Sequence, residues 1–253
     1  MTSPNQDGRV TTQVADGVAS VSFHHPKGNS LPGAILARLA EEIAALGANP
    51  AATVIVLRSE GDGPFCAGAS FQELQAVRTP EEGQRFFMGF ARLILAMTRC
   101  PKFILARVHG KVVGGGVGVC AASDYAIAVP EAAVKLSELA VGIGPFVVGP
   151  VIEKKIGLAA FSMLSVNAQE WRVAEWAREH GLFAEVRDTV EELDQAIADL
   201  ASRLAASNPE AMARMKQIFW QGTDHWETLL AERAAMSGSL VVSDFTRRAI
   251  GGR

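Results

Sequence analysis

Three consecutive glycines, Gly114, Gly115 and Gly116, follow an apolar run in the segment LARVHGKVVGGGVGVCAAS. Glycine loses more backbone freedom on folding than any other residue, so such a cluster indicates a place where bare backbone is needed. A second glycine-containing turn, GDGPFCAGAS, follows another apolar run in the same way. We therefore predict the same unit twice: a buried strand, a glycine turn and the start of a helix.

Glycine at a helix start exposes unpaired N–H groups at the positive end of the helix dipole, where negative charge is stabilised. The structural alternative is that these glycines only let strand and helix pack closely. Nucleotide binding is disfavoured, because GGGVG lacks both the lysine and hydroxyl of a P-loop and the spacing of a dinucleotide turn. Two turns that each aim one N–H at the same oxygen would form an oxyanion hole.

The apolar pattern predicts an α/β fold. Strand-like runs occupy residues 18–23, 53–59, 102–110 and 124–129, and helices are predicted over 32–46 and from Pro80. The second helix has a capping box beginning at Thr79 and an apolar face that includes Phe90. Beyond residue 167 helices dominate, with predicted starts at Asn167, Thr189, Asn208 and Asp224. We expect a core at residues 1–195 and a helical region at 196–253.

Composition narrows the functional classes. A formal net charge of −3 over 253 residues gives no general attraction to nucleic acid or an anionic membrane, so neither is expected as a partner. Three cysteines without CxxC spacing argue against a disulfide framework. The five histidines show no metal-binding spacing, so no metal is expected. No stretch is long and apolar enough for a membrane span, and we expect a cytoplasmic protein.

Four segments carry a resemblance to a known family: HPKGNSL, GPFCAGASFQEL, VHGKVVGGGVGVCAASDYAIA and KLSELAVGIGPF. In this order they resemble the crotonase superfamily, the enoyl-CoA hydratases and isomerases, and weaker similarity continues through SNPEAM and SDFTRRA. The resemblance implies a ββα superhelix core, a C-terminal helical trimerisation region, and a homotrimer or homohexamer. It also implies an acyl-CoA thioester substrate and no cofactor beyond the coenzyme A of that substrate.

By motif, the resemblance places an oxyanion hole at the N–H groups of Ala69 and Gly115, which would stabilise a thioester enolate. Segment Ala67 to Gln72 would line the coenzyme A channel, largely through its backbone. The residues implied in substrate binding are Lys27, Ala67, Ser70, Phe71, Gln72 and Gly114, with Lys27 near the phosphates. Ser70 departs from the family pattern, which has an acidic residue at that position.

The family's hydratases use two glutamates to activate water, and these fall on Gly118 and Glu138 in this chain. One carboxylate is therefore missing. A single carboxylate suffices for moving a double bond, because one group removes a proton and returns it two carbons along the chain. We predict Glu138 as this general acid/base, with Leu136, Leu139 and Val141 excluding water and raising its pKa.

Other readings stay open at this stage. A hydratase would need a substitute for the missing carboxylate, and a decarboxylase or thioester hydrolase could use the same oxyanion hole. A non-catalytic acyl-CoA-binding protein is a further alternative. Residues 145–147 supply no second carboxylate and predict an apolar acyl end of the pocket. Cys66 lies near a predicted helix start, but packing is its expected role.

Overall fold

A computed structural model describes residues 8–251. Within this range the chain forms eight strands, ten α-helices and one 3₁₀ turn at Leu139–Val141. The strands are β1 (Arg9–Ala15), β2 (Gly17–His24), β3 (Ala52–Ser59), β4 (Phe103–Val108), β5 (Val112–Val113), β6 (Tyr125–Ala128), β7 (Val134–Lys135) and β8 (Glu185–Val186). The helices are α1 (Gly33–Ala48), α2 (Phe71–Ala76), α3 (Pro80–Arg99), α4 (Gly115–Ala122), α5 (Gly149–Val166), α6 (Ala174–Glu179), α7 (Val190–Ala205), α8 (Pro209–Phe219), α9 (Trp226–Val241) and α10 (Asp244–Gly251).

The main sheet has six strands in the order β1-β2-β3-β4-β6-β8. β1 and β2 pair antiparallel, and every other neighbouring pair in this sheet is parallel. A separate two-stranded parallel sheet joins β5 to β7. The carboxyl ends of β3 and β4 therefore lie at one edge of the main sheet, and both glycine turns follow from that edge.

Alternation along β3 shows why the sheet is covered by helices on both faces. Ile55 and Leu57 belong to the large core shared with α1 and α3, whereas Val54 and Val56 pack with α7. Since successive strand residues point to opposite faces, a strand buried on both sides must be apolar at consecutive positions, as β3 is from Val54 to Leu57. The α/β fold and its central strands agree with the sequence-based prediction.

Two of the four predicted helix starts in the C-terminal half are found. The side chains of Thr189 and Asn208 cap α7 and α8 by accepting backbone N–H bonds. The other two predictions were wrong. Asn167 ends α5 and its amide bonds to Glu170 in a turn, and α9 begins at Trp226 after His225 rather than after Asp224.

The C-terminal helices pack against their own chain. α9 lies along α3, and the close crossing requires glycine on both helices: a Cβ on Gly83 would lie 2.7 Å from Gly238 Cα. α10 reaches α2 and the 3₁₀ turn, where Ile250 joins a cluster with Leu74 and Ile143. The boundary expected after residue 195 falls inside α7, a single helix that packs on the sheet. No helix within residues 8–251 is both long enough and apolar enough to span a bilayer.

Candidate active site

A cavity of about 320 Å³ opens between the two glycine turns, α3 and the segment after β7. Its wall is mostly aromatic and aliphatic, and only a few polar groups reach it. The lining residues that the sequence had placed in the site are Ala67, Ala69, Phe71, Gly114, Gly115 and Glu138. An apolar cavity with a few convergent polar groups is the usual form of a small-molecule site.

The two glycine turns are in direct contact. Cys66, at the first turn, pairs with β5 through Val113 N–H to Cys66 O at 2.9 Å. Gly68 has φ +87°, and a Cβ added there would lie 3.0 Å from Val113 O and 3.8 Å from Gly115 N. Bare backbone is therefore needed at Gly68 both for its left-handed conformation and for the close approach of the second turn.

The second turn needs glycine for a similar reason. Gly114 has φ +53°, and a Cβ on Gly115, the first residue of α4, would lie 2.3 Å from two ring carbons of Phe90. Neither the Ala69 N–H nor the Gly115 N–H donates to another group within residues 8–251. Two unused amide donors, one from each touching turn, border the same cavity. An oxyanion hole needs two free amide donors of this kind that meet at one oxygen.

Glu138 supplies the carboxyl group of the cavity. A Cβ on Gly114 would lie 3.0 Å from Glu138 Oε1, so the carboxyl group sits directly beside the second turn. Its Oε2 is buried and has no hydrogen-bond partner within residues 8–251. Desolvation by burial raises the pKa of Glu138 to about 7, although its own backbone N–H opposes the shift. A carboxyl group with this pKa can both accept and return a proton near neutral pH.

The neighbours of Glu138 shield it differently from the prediction. Leu136 is buried and Val141 lines the cavity, as expected. Leu139 is 52% exposed, so the expectation that it excludes water was wrong. The 3₁₀ turn that begins after Glu138 carries Leu139 to the surface while Val141 faces inward. Pro145 and Phe146 complete the apolar wall.

Gly118, the position of the missing second glutamate, is buried against Val148. A Cβ on Gly118 would lie 2.7 Å from Val148 Cγ1 and 2.9 Å from Val148 Cβ. A glutamate here would therefore collide with an apolar side chain from the start of α5. Gly118 does not line the cavity, and Val148 does.

Three residues predicted to bind substrate lie outside the cavity lining. The Ser70 hydroxyl caps α2 by accepting from Glu73 N–H at 3.3 Å, which explains a small polar residue there. Lys27 and Gln72 are exposed and joined by a hydrogen bond of 2.8 Å from Lys27 Nζ to Gln72 Oε1. Cys66 is fully buried, and desolvation raises the pKa of its thiol to about 12, consistent with packing.

Sequence reasoning assigned no role in the site to several lining residues. Ser137 and Lys135 lie close to Glu138 in sequence, and Trp171 and Ser237, the latter from α9, complete this set of lining residues. Ser237 and Trp171 come from parts of the chain distant in sequence. A pairing between Val134 and Arg172 brings Trp171 in, and no local pattern predicts it.

The sequence profile described as enoyl-CoA hydratase/isomerase matches residues 13–247. An indene-carboxyl-CoA hydrolase of Rhodococcus jostii is 27% identical over 215 residues, which cover 83% of this chain and 80% of that protein. A peroxisomal dienoyl-CoA isomerase of Arabidopsis thaliana is 25% identical over 224 residues, covering 82% and 79%. A solved structure of an enoyl-CoA hydratase from Bacillus halodurans has a TM-score of 0.89 at 19% identity, covering 96% of this chain and 99% of that one.

Proposed function

The chain belongs to the enoyl-CoA hydratase/isomerase family, and on that premise we propose that it moves a double bond in an enoyl-CoA thioester with Glu138 as its single proton-transfer group. The predicted superfamily and α/β fold are confirmed by the family match and the similar structures. The names of relatives include a hydrolase and an isomerase, so membership alone leaves the reaction open.

The observation that carries the proposal is the single carboxyl group of the cavity. Glu138 is the only Asp or Glu among the lining residues of this cavity, within the part of the chain the structure describes. Water addition in this family needs a base for the water and an acid for the α-carbon. Val148 fills the place of a second carboxylate beside Gly118, which favours a reaction that needs one group only.

The reaction begins with the thioester oxygen accepting hydrogen bonds from Ala69 N–H and Gly115 N–H. Ionised Glu138 removes a proton from a carbon next to the double bond, and the electron pair of that C–H bond moves toward the thioester oxygen. The negative charge of the resulting dienolate lies largely on the thioester oxygen, where the two amide N–H groups stabilise it. Protonated Glu138 then returns the proton two carbons along, which restores the thioester and leaves the double bond shifted.

The cavity wall contributes by keeping water away from the dienolate. Phe87, Phe90 and Phe146 line the cavity, and a low local polarity strengthens the hydrogen bonds of the oxyanion hole. The same burial gives Glu138 its raised pKa. One physical cause, exclusion of water, therefore supports both the base and the charge stabilisation.

Coenzyme A is proposed to enter along the first turn, past Ala67, with its thioester oxygen at the amides of Ala69 and Gly115 and Gly114 beside it. Lys27 stands at the exposed end of this turn with Gln72, where a phosphate could replace the Gln72 oxygen as its partner. Ser70 acts here through the helix that it caps. This placement follows the family resemblance and the position of the turns.

The test is a panel of matched 2-enoyl-CoA and 3-enoyl-CoA thioesters, with double-bond migration and hydration followed separately by mass and absorbance. We expect migration, with no hydroxyacyl-CoA formed, and a large loss of rate in Glu138→Gln. The control is Glu232→Gln, an exposed glutamate of α9. Net hydration by the wild type, or migration unaffected in Glu138→Gln, would contradict the proposal.

A homotrimer or a homohexamer is the proposed assembly. α5 exposes three large apolar side chains, Leu158, Met163 and Val166, which a subunit contact would cover. Light scattering on the purified full chain gives the mass directly. The mass of a single chain at micromolar concentration would contradict the assembly while leaving the chemistry of the cavity unaffected.

A further inference from the structure

Two lysines and a tryptophan lie together beside the cavity. Lys135 and Trp171 are lining residues, and Lys111 lies beside them at the surface. Lys135 Nζ lies 4.4 Å and Lys111 Nζ 5.0 Å from the centroid of the Trp171 ring. Trp171 itself is 36% exposed, so the group is accessible from solvent.

Strand register explains why these side chains meet. β5 and β7 pair Val113 with Lys135, and Lys111 lies two residues before Val113, so its side chain points to the same face. On the other side of β7, Val134 pairs antiparallel with Arg172 through two bonds of 2.8 and 2.9 Å. That register sets Trp171 opposite Lys135. Three adjacent chain segments thus hold the group in place.

Among the described residues, no carboxylate lies within ion-pair distance of either positive charge. Neither Lys111 nor Lys135 forms an ion pair within residues 8–251. The indole ring attracts an ammonium group by about 0.5–1 kcal/mol at an exposed site but does not neutralise it. Two like charges held against one ring repel each other, and a bound anion would relieve that repulsion.

Glu138 does not serve as the missing counter-ion, although it lines the same cavity. No ammonium nitrogen of Lys111 or Lys135 lies within 4.0 Å of a Glu138 carboxyl oxygen, within residues 8–251. Apart from Glu138, Ser137 and Ser237, the cavity lining consists of apolar residues, glycines and these charged and aromatic groups. A pair of unneutralised cations beside an aromatic ring, at the edge of an apolar cavity, has the chemistry of an anion-binding site.

We propose that Lys111, Lys135 and Trp171 form an anion subsite that binds a carboxylate or phosphate group of the acyl-CoA substrate. The proposal rests on the proposed function, because the anion is part of the substrate that enters this cavity. The group has two sources in such a ligand: a carboxylate on the acyl chain or a phosphate of coenzyme A. Both would accept hydrogen bonds from the ammonium groups, while Trp171 packs against the adjoining chain.

The experiment measures the dissociation constants of four unreactive thioesters by calorimetry: butyryl-CoA, glutaryl-CoA, butyryl-pantetheine and glutaryl-pantetheine. These probes combine an acyl chain with or without a carboxylate and a carrier with or without phosphates. The protein variants are Lys135→Met, which keeps an unbranched side chain, Lys111→Met/Lys135→Met and the charge-preserving Lys135→Arg. Lys154→Met, at an exposed lysine of α5, is the matched control.

We expect Lys135→Met to weaken binding of the anionic ligand about tenfold, the size of one charge-assisted hydrogen bond, with larger loss in the double variant and little in Lys135→Arg. A loss confined to the glutaryl thioesters identifies the acyl carboxylate as the anion. A loss for both CoA thioesters that vanishes with the pantetheine carriers identifies a phosphate.

Two results would overturn the subsite. One is unchanged affinity for all four ligands in the double variant, and the other is equal weakening of all four, including the uncharged butyryl-pantetheine. Wild-type protein that binds none of the thioesters contradicts the proposed function instead. The subsite is then decided with glutarate and inorganic pyrophosphate as probes, which must bind the wild type more tightly than the double variant.

Discussion

Replacing Glu138 by glutamine should change the pH dependence of stability as well as activity. Burial raises the pKa of Glu138 from 4.5 to about 7, which corresponds to about 3 kcal/mol of free energy between its protonated and ionised forms. Because the folded-state pKa is the higher one, this carboxyl group favours the fold fully below pH 4.5, and that contribution is lost as the pH rises through about 7. At about pH 8 the folded protein must hold a buried charge, and glutamine removes that cost.

The assay is urea unfolding of wild type and Glu138→Gln at a series of pH values between about 4 and 8. We expect the free energy of unfolding of the variant, relative to wild type, to rise by up to about 3 kcal/mol across this range. An unpaired amide in place of Oε2 adds a cost that does not depend on pH. The test is therefore how the difference in free energy of unfolding between variant and wild type changes with pH. A difference that stays flat with pH, like that expected for the exposed control Glu232→Gln, would refute the account of Glu138.

Three further predictions concern positions outside the proton-transfer group. Gly118→Ala places a Cβ 2.7 Å from Val148 Cγ1 and 2.9 Å from Val148 Cβ and should destabilise the fold by about 1–3 kcal/mol in thermal unfolding. Val148→Ala removes Cγ1 and leaves Cβ, so the double variant should lose less stability than the sum of the two single losses, and additive losses would contradict the contact. Asp124→Asn leaves the buried ammonium of Lys216, 2.8 Å away, without its counter-charge. This change should lower the free energy of unfolding in urea by about 3–5 kcal/mol, and a loss below about 1 kcal/mol would contradict the buried ion pair. Burial lowers the pKa of His109 below 6.5, so the unfolded chain takes up a proton at a higher pH than the folded protein does. The free energy of unfolding should therefore fall as the pH drops below 6.5. A His109→Gln variant that shows the same loss would exclude His109 as the cause.

The sequence predicted helices and strands correctly where the local residue pattern matches the burial found in the structure. β3 is apolar on both faces, and the capping box at Thr79 starts α3 where predicted, with Thr79 Oγ1 accepting from Glu82 N–H. Asn167 shows where prediction of helix starts from sequence fails. Its side chain suits a helix start, but the same amide can close a turn at a helix end, and the neighbouring chain decides between the two.

The residues of the candidate site also fall into those that the sequence predicted and those that it did not. The glycine turns and Glu138 lie in contiguous motifs, so their positions along the cavity were accessible from sequence. Trp171 meets Lys135 through strand pairing across a long sequence separation, and Val148 fills the space beside Gly118 from another helix. Such contacts depend on the packing of distant segments, which periodicity and motif spacing do not encode.

The central claim is that a thioester oxygen binds between the two glycine turns while its acyl chain lies against a single carboxyl group. A crystal structure of the full chain with an unreactive acyl-CoA tests this most directly. The account predicts the thioester oxygen within about 3 Å of both Ala69 N and Gly115 N, with the acyl carbons beside Glu138 Oε2. A thioester bound with its oxygen away from both amides, or an acyl chain out of reach of Glu138, would contradict it.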